Sequence, residues 1–303
     1  MVRPAPPGAP PAAPDTKPPE GALGVRPPRP RLLRLGRVRP LVVAAALVAA
    51  VAVVAAVFAE QLAPYDPLAP NLAARLSPPG GAHPLGTDNF GRDVLSRVIY
   101  GARVSVLVGL ASAGLAFLFG TAAGFLSGLL GGPGDLAGQR AIDTLLAFPA
   151  LVLALVFVAA FGPSTGVVIA AISTALFPQM ARLARSLCLA IKESDYCLAA
   201  RAMGASRWHI ALRHILPNAL GSLVALATGF VGESIVIESV LSYLGLGVPP
   251  PTPSWGRMIS EGSRRYLETA PWLTIVPGLA LSLLALAFAI LGDAVRDALD
   301  PKK

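Results

Sequence analysis

Cysteine, histidine and lysine are all scarce in this chain of 303 residues, and so is charge. Two cysteines, Cys188 and Cys197, make no disulfide framework, and nine residues apart on a helix they fall about 180° from each other, unsuited to one metal. Three histidines, His83, His209 and His214, leave little material for a metal centre. The only lysines are Lys17, Lys192, Lys302 and Lys303, and none sits in a Gly-x-x-x-x-Gly-Lys-Ser/Thr loop, so the chain has no ordinary cradle for nucleotide phosphates. Charged residues make up 14%, against about a quarter in a soluble domain, while 54% are hydrophobic, which excludes a soluble globule. The net charge of +8 invites a nucleic-acid reading, but the long apolar runs have no counterpart in basic nucleic-acid readers, so no nucleic-acid partner is expected.

What is present is organised around those runs. Residues 1–40 hold 12 of the 30 prolines and eight Lys/Arg against Asp15 and Glu20, which predicts a disordered tail. Leu41–Ala59 follows with 19 residues and no polar side chain. At about 1.5 Å per residue that run nearly covers a hydrocarbon core of about 30 Å, which predicts a first transmembrane helix within 41–62. A cleaved signal peptide is the alternative, since Val57-Phe58-Ala59 resembles a cleavage site, but the run exceeds the usual roughly 7 to 15 residues.

Five further apolar segments, at about 104–130, 142–162, 165–186, 219–243 and 272–292, complete an expected all-α polytopic membrane protein with six transmembrane helices. Placing both termini in the cytosol puts 18 Lys/Arg on that side and seven on the other, as the positive-inside rule prefers. The expected organisation is then a cytosolic tail over 1–40, an extracytoplasmic segment over 63–103, a five-helix core over 104–293 with a cytosolic loop at 187–218, and a cytosolic tail over 294–303. In the second span Ser112, Ala116, Gly120, Gly124 and Gly128 recur every fourth position, a small-residue stripe that lets another helix approach closely. Gly162-Pro163-Ser164-Thr165-Gly166 matches a nucleophile elbow in letters only, because it falls in a turn between spans and lacks the strand that motif requires.

The cytosolic loop reads as a helical hairpin. Tyr196, Ala199, Ala200 and Met203 fall at i, i+3, i+4 and i+7, and so do Trp208, Ala211, Leu212 and Ile215, giving one apolar stripe per helix. Gly204 fits the position just past the first helix, Ser206 the N-cap of the second, and Pro217 its end. The segment 182–213 carries a charge of +4, including Arg201, so it suits either a soluble protein partner or anionic lipid headgroups. Ala199-Ala200-Arg201-Ala202-Met203-Gly204-Ala205-Ser206, continued by Arg213-His214-Ile215-Leu216-Pro217-Asn218, resembles the EAA loop that permease subunits of ATP-binding-cassette importers present to their ATPases. The wording is most similar to the dipeptide, oligopeptide and nickel importers. Leu198 stands where the motif's name has Glu, so a Glu-mediated contact does not carry over.

Two outer segments resemble the second, C-type permease subunit of the same family. One is His83-Pro84-Leu85-Gly86-Thr87-Asp88, continued by Gly91-Arg92-Asp93-Val94-Leu95-Ser96-Arg97. Thr87 or Asp88 is placed to cap an amphipathic helix with Val94, Leu95, Val98, Ile99 and Ala102 on one face and Arg92, Asp93, Ser96 and Arg97 opposite, which predicts a helix lying on the outer membrane surface as a docking element or an anchor. The other is Leu244-Gly245-Leu246-Gly247-Val248 with the proline-rich run to Trp255-Gly256, a rigid outer loop whose Trp255 suits the membrane interface. Glu233 and Glu238 enter the fifth span, where a charge costs about 2.5 to 3.5 kcal/mol on insertion scales, and five residues place them about 140° apart. Each is a candidate for the translocation path or for a polar contact between permease subunits.

The resemblance implies an importer permease fold of type I, with this chain non-catalytic and holding no cofactor. ATP and Mg would be bound by two partner ATPases, a second homologous permease would complete the path through the lipid bilayer, and an extracytoplasmic binding protein would deliver a peptide, nickel or a related solute. A self-sufficient secondary transporter or channel using Glu233 and Glu238 is the alternative of a different class.

Overall fold

The computed structural model describes residues 40–299. The tail expected over 1–40 lies outside the described residues but for Pro40, as do residues 300–303; residues 294–299 continue the last helix. Every named element is a helix, and among the described residues the only extended pairing is one bridge between Thr87 and Asp93.

The first helix, α1 (Pro40–Val57), opens on a proline whose missing N–H costs nothing at a helix start, and it breaks at Phe58 before a single turn, α2 (Ala59–Leu62). Only its alanine stripe, Ala45, Ala49 and Ala56, is buried. The chain then forms an irregular outer segment and enters α3 (Val94–Leu130), a helix of 37 residues, about 55 Å long by its rise. Residues 94–103 are therefore the first turns of α3 and not a separate helix on the membrane surface. The cap is Asp93, whose carboxylate accepts from the Ser96 N–H, in place of Thr87 or Asp88.

The third apolar segment is also different from the sequence expectation. It is split between α4 (Gly132–Leu146) and α5 (Ala150–Phe161), which meet at 92°. Pro149 supplies no N–H and disfavours helical backbone at Phe148, so the α4 ladder stops there. The 12 residues of α5 span about 18 Å, short of a bilayer core of about 30 Å. Next come α6 (Thr165–Lys192), capped by Ser164, then α7 (Asp195–Ala202), α8 (Arg207–Ile210), one π turn over Ala211–Ile215, and α9 (Leu216–Tyr243). An outer helix, α10 (Trp255–Arg265), precedes α11 (Trp272–Leu299). Five helical stretches are long and apolar enough to cross a membrane, and the bent α4–α5 pair makes a sixth if it counts as one broken span.

Pro217 does not end the second hairpin helix. It sits in the first turn of α9, and the π turn, closed by the Leu216 N–H on the Ala211 carbonyl, carries α8 into α9 without a break. Widening the turn by one residue places the missing donor where the ladder is already interrupted, and the Asn218 side chain donates to the His214 carbonyl at 2.6 Å.

The small-residue stripe of α3 seats α6. A Cβ at Gly124 would run into the Ala181 carbonyl, and one at Gly120 would lie 2.7 Å from Met180 Cβ. Farther up the same helix, Gly109 faces Ile235 of α9 and Gly101 faces Trp255 of α10. Trp255 is 3% exposed and donates its Nε1–H to the Val98 carbonyl at 2.9 Å, so it is a packing residue of the core and not an interfacial anchor. The close crossings leave α3 in contact with α1, α6, α9 and α10.

Candidate functional site

The hairpin between α6 and α9 is built by its turn. At the end of α7 the Gly204 N–H bonds the Arg201 carbonyl and the Ala205 N–H bonds the Ala200 carbonyl, both at 3.0 Å, which is a Schellman motif with Gly204 at the left-handed position, φ +86°. Ser206 then caps α8 by accepting from the His209 N–H at 3.2 Å. The two arms are closed by Cys197 and Ala200 from α7 against Ile210, Ala211 and Ile215, over Leu129 of α3 and Cys188 of α6. Rings of Tyr196 and His214 lie 6.3 Å apart across the arms.

Of the residues expected in this loop, Ala200 and Ile215 are buried in that cluster. Tyr196, Ala199, Arg201, Met203, Gly204, Ser206, Trp208, Leu212 and Pro217 are exposed. The predicted stripes are thus divided: their inner members close the hairpin, and their outer members stay bare, with Met203 at 82%, Leu212 at 64% and Trp208 at 54% exposure. The tip is thus an exposed apolar surface on a segment of charge +4.

The helix that leads into the hairpin is tied to its neighbours by polar contacts. Lys192 reaches the Gly128 carbonyl of α3 at 3.4 Å, and Arg185, two turns before the hairpin, donates to Asp135 of α4 at 2.8 and 2.7 Å. Gln139 of α4 donates to Ser127 of α3 at 3.0 Å and Arg182 of α6 pairs with Asp143, so α4 is fastened to both α3 and α6. None of these ties was predicted; the acidic partners lie about 40 to 50 residues away in sequence.

At the opposite end the residues Gly86, Thr87, Asp88, Gly91, Arg92 and Asp93 form a staple whose carboxylates and hydroxyl are bonded inside the fold, while Arg92 Nη2 is buried with no hydrogen-bond partner among the described residues. Asp88 accepts from the Phe90 and Arg92 N–H groups at 2.8 and 2.9 Å and from Arg92 Nε at 2.7 Å. Asp93 takes two bonds from Ser96 at 2.8 Å and one contact with His83 Nδ1 at 2.9 Å. Thr87 accepts from the Ser77 N–H at 2.9 Å, and its carbonyl receives Trp272 Nε1 of α11 at 3.2 Å. Arg97, only 2% exposed, lies 3.5 Å from Asp88, and Arg92 and Arg97 both approach Glu261 of α10 at 3.7 and 3.6 Å. Gly86 and Gly91 have φ of +75° and +74°, and any Cβ at Gly91 would collide with the Asn71 carbonyl. The polar face that reads as solvent-facing in sequence is covered by this staple and by α10. Arg257, on the same helix, has its guanidinium pushed below its ordinary value by burial, against the opposing pull of Glu261 and Glu238.

Glu238 is fully buried and accepts from Ser242 at 2.7 Å, while Glu233 is exposed. The two do not share a site. Among the described residues no group of three or more His, Cys, Asp or Glu side chains is placed to hold a metal ion.

Comparison with known proteins gives the geometry a family. The family of the binding-protein-dependent transport system inner membrane component matches residues 120–303. A probable D,D-dipeptide transport system permease protein of Escherichia coli K12 is 40% identical over 87% of this chain and 88% of its own length. A dipeptide transport system permease protein of Alkalihalophilus pseudofirmus is 36% identical over 95% of both chains. A glutathione transport system permease protein of Pectobacterium atrosepticum is 40% identical over 86% of this chain and 87% of its own length. In fold, the chain is similar to the MetNI methionine ABC transporter in an inward-facing conformation, with a TM-score of 0.57 at 18% identity over 68% of this chain and 97% of that one. The chain belongs to the binding-protein-dependent transport system inner membrane components, multi-pass permease subunits of ATP-binding-cassette importers.

Proposed function

We propose that this permease subunit, paired with a second homologous permease, forms the path by which di- or oligopeptides, or a related small solute such as glutathione or nickel, enter the cell. Both termini lie in the cytosol, in accord with the 18 to seven partition of Lys/Arg. An extracytoplasmic binding protein delivers the solute, and two partner ATPases hold ATP and Mg and perform the hydrolysis; this chain is the non-catalytic element. The peptide class is supported by the dipeptide and glutathione systems to which the relatives belong.

The observation that carries the coupling role is the bare tip of the hairpin, Tyr196, Met203, Trp208 and Leu212, on a scaffold whose base is packed against α3 and α6. Closure of the ATPases would push this tip, and the packed helices would pass the displacement outward as a rigid-body change. A photo-crosslinker at Met203 in native membranes tests it: the expected product is a covalent adduct with a nucleotide hydrolase. An adduct with lipid alone, or solute flux by the isolated chain in liposomes down a gradient, would overturn the reading in favour of a headgroup-bound hairpin or a self-sufficient transporter.

A further inference from the structure

A cavity of about 710 Å³ opens between α6, α9 and α11 toward the hairpin end of the core. That volume lies within the roughly 300 to 1,000 Å³ of small-molecule sites. Gln179, Arg182 and Ser186 of α6 and Asp293 and Arg296 of α11 line it, polar groups of both signs on helices apolar enough to cross a membrane. Such a lining belongs to a water-filled space and not to a lipid contact.

Along α9 the wall of this cavity runs through Ser222, Leu226 and Gly229, steps of four and three residues that keep one helix face. Glu233 continues the face by one more turn, about 6 Å beyond Gly229. Beside Gly229 the space is open, since a Cβ there would meet no atom within 4 Å among the described residues. Val236 extends the same face and is 44% exposed, whereas Glu238 falls on the opposite side and is buried. Among the described residues the Glu233 side chain makes no hydrogen bond and no ion pair, so an exposed carboxylate lies one turn beyond the last lining residue of α9 in a membrane-spanning helix.

We infer that Glu233 lines the translocation path at the end of this cavity farther from the hairpin and selects solutes carrying a primary ammonium group, such as the free amino end of a peptide. The inference rests on the proposed peptide-importer reading for its solute, but its placement of Glu233 is independent of that reading. A carboxylate and an ammonium that meet away from bulk water form a charge-assisted pair, and neither then has to be held there alone.

The test uses the assembled transporter in inside-out vesicles, with a reporter thiol from Val236→Cys; Cys188 and Cys197 are fully buried and form the background. The probes are membrane-impermeant cationic and anionic methanethiosulfonates. The reporter is expected to react, and Glu233→Gln is expected to lower the cationic-to-anionic rate ratio about tenfold, as loss of a nearby negative charge requires. An unreactive reporter, or a ratio that Glu233→Gln leaves unchanged, overturns the inference whatever the solute is. Uptake of a tripeptide and of its N-acetylated form is the second arm. The Gln variant is expected to lose the preference for the free amine and Glu233→Asp to recover part of it; equal loss for both peptides overturns ammonium selection. Should the unmodified transporter take up neither peptide, the peptide reading fails while the thiol ratio still decides the place of Glu233.

Discussion

Glu238 and Ser242, one turn apart on α9, form a fully buried pair in which the hydroxyl donates to Glu238 Oε1 at 2.7 Å. The second carboxylate oxygen has no partner among the described residues, and Arg257 of α10 is near enough to act on the group electrostatically. The bond is internal to α9, and with 0% and 1% exposure the pair is expected to serve packing and not the path. Glu238→Leu leaves the hydroxyl without its acceptor and is expected to cost about 1 to 3 kcal/mol, seen as a lower thermal midpoint of the purified complex. Glu238→Gln keeps an acceptor of the same shape and is expected to transport normally; loss of transport at unchanged thermal stability would put Glu238 back in the path.

Gly204 makes the hairpin turn at φ +86°, in open space where a Cβ would touch nothing within 4 Å. Any penalty there is backbone strain and not a clash, so Gly204→Ala is expected to cost about 1 kcal/mol and Gly204→Val more, because a β-branched side chain fits the left-handed region worst. Gly204→Val should uncouple transport from ATP hydrolysis and weaken co-purification of the ATPases. Wild-type uptake by that variant would count against the hairpin as the coupling element.

Asp135 and Arg185 join α4 to the helix that ends in the hairpin, through two bonds of 2.8 and 2.7 Å and partial burial of both side chains. Bidentate pairs of this geometry are worth more than an exposed single contact, and a double-mutant cycle of Asp135→Ala and Arg185→Ala is expected to give a coupling of about 1 kcal/mol in thermal or denaturant unfolding. A coupling near zero would show that α4 is held by its apolar face alone.

Local chemistry was readable from sequence, and tertiary cover was not. Gly204, Ser206 and the Gly120-Gly124-Gly128 stripe announce their roles because turn, cap and close approach each depend on neighbours within a few residues or on side-chain size. The start of α3 misled for the opposite reason. Its polar face, with Ser96 and Arg97, looks solvent-facing by periodicity, yet it is buried by a loop and by Glu261, which lies far along the chain. The bend at Pro149 hid inside a continuous apolar run, and Pro217 looked like a stop because a π turn cannot be read from spacing. Of the two glutamates, sequence placed them on different faces correctly, but only packing decided which one is covered.

The outer staple is the last case in which a polar motif has a structural use, and Asp93 is where it can be tested. One carboxylate oxygen accepts both the N–H and the hydroxyl of Ser96, each at 2.8 Å, and the other lies 2.9 Å from His83. With 2% exposure the group has no water to replace those partners. Asp93→Ala removes a helix cap and strands a buried hydroxyl, so the loss is expected to reach about 2 kcal/mol, the sum of a typical cap and part of one unsatisfied group. Asp93→Asn keeps the acceptor toward Ser96 and should retain most of that stability. Both effects should appear in the thermal midpoint, while ATP hydrolysed per solute moved stays constant in the complexes that remain folded. A changed ratio in Asp93→Asn would mean that the staple takes part in gating and is more than the clamp its hydrogen bonds describe.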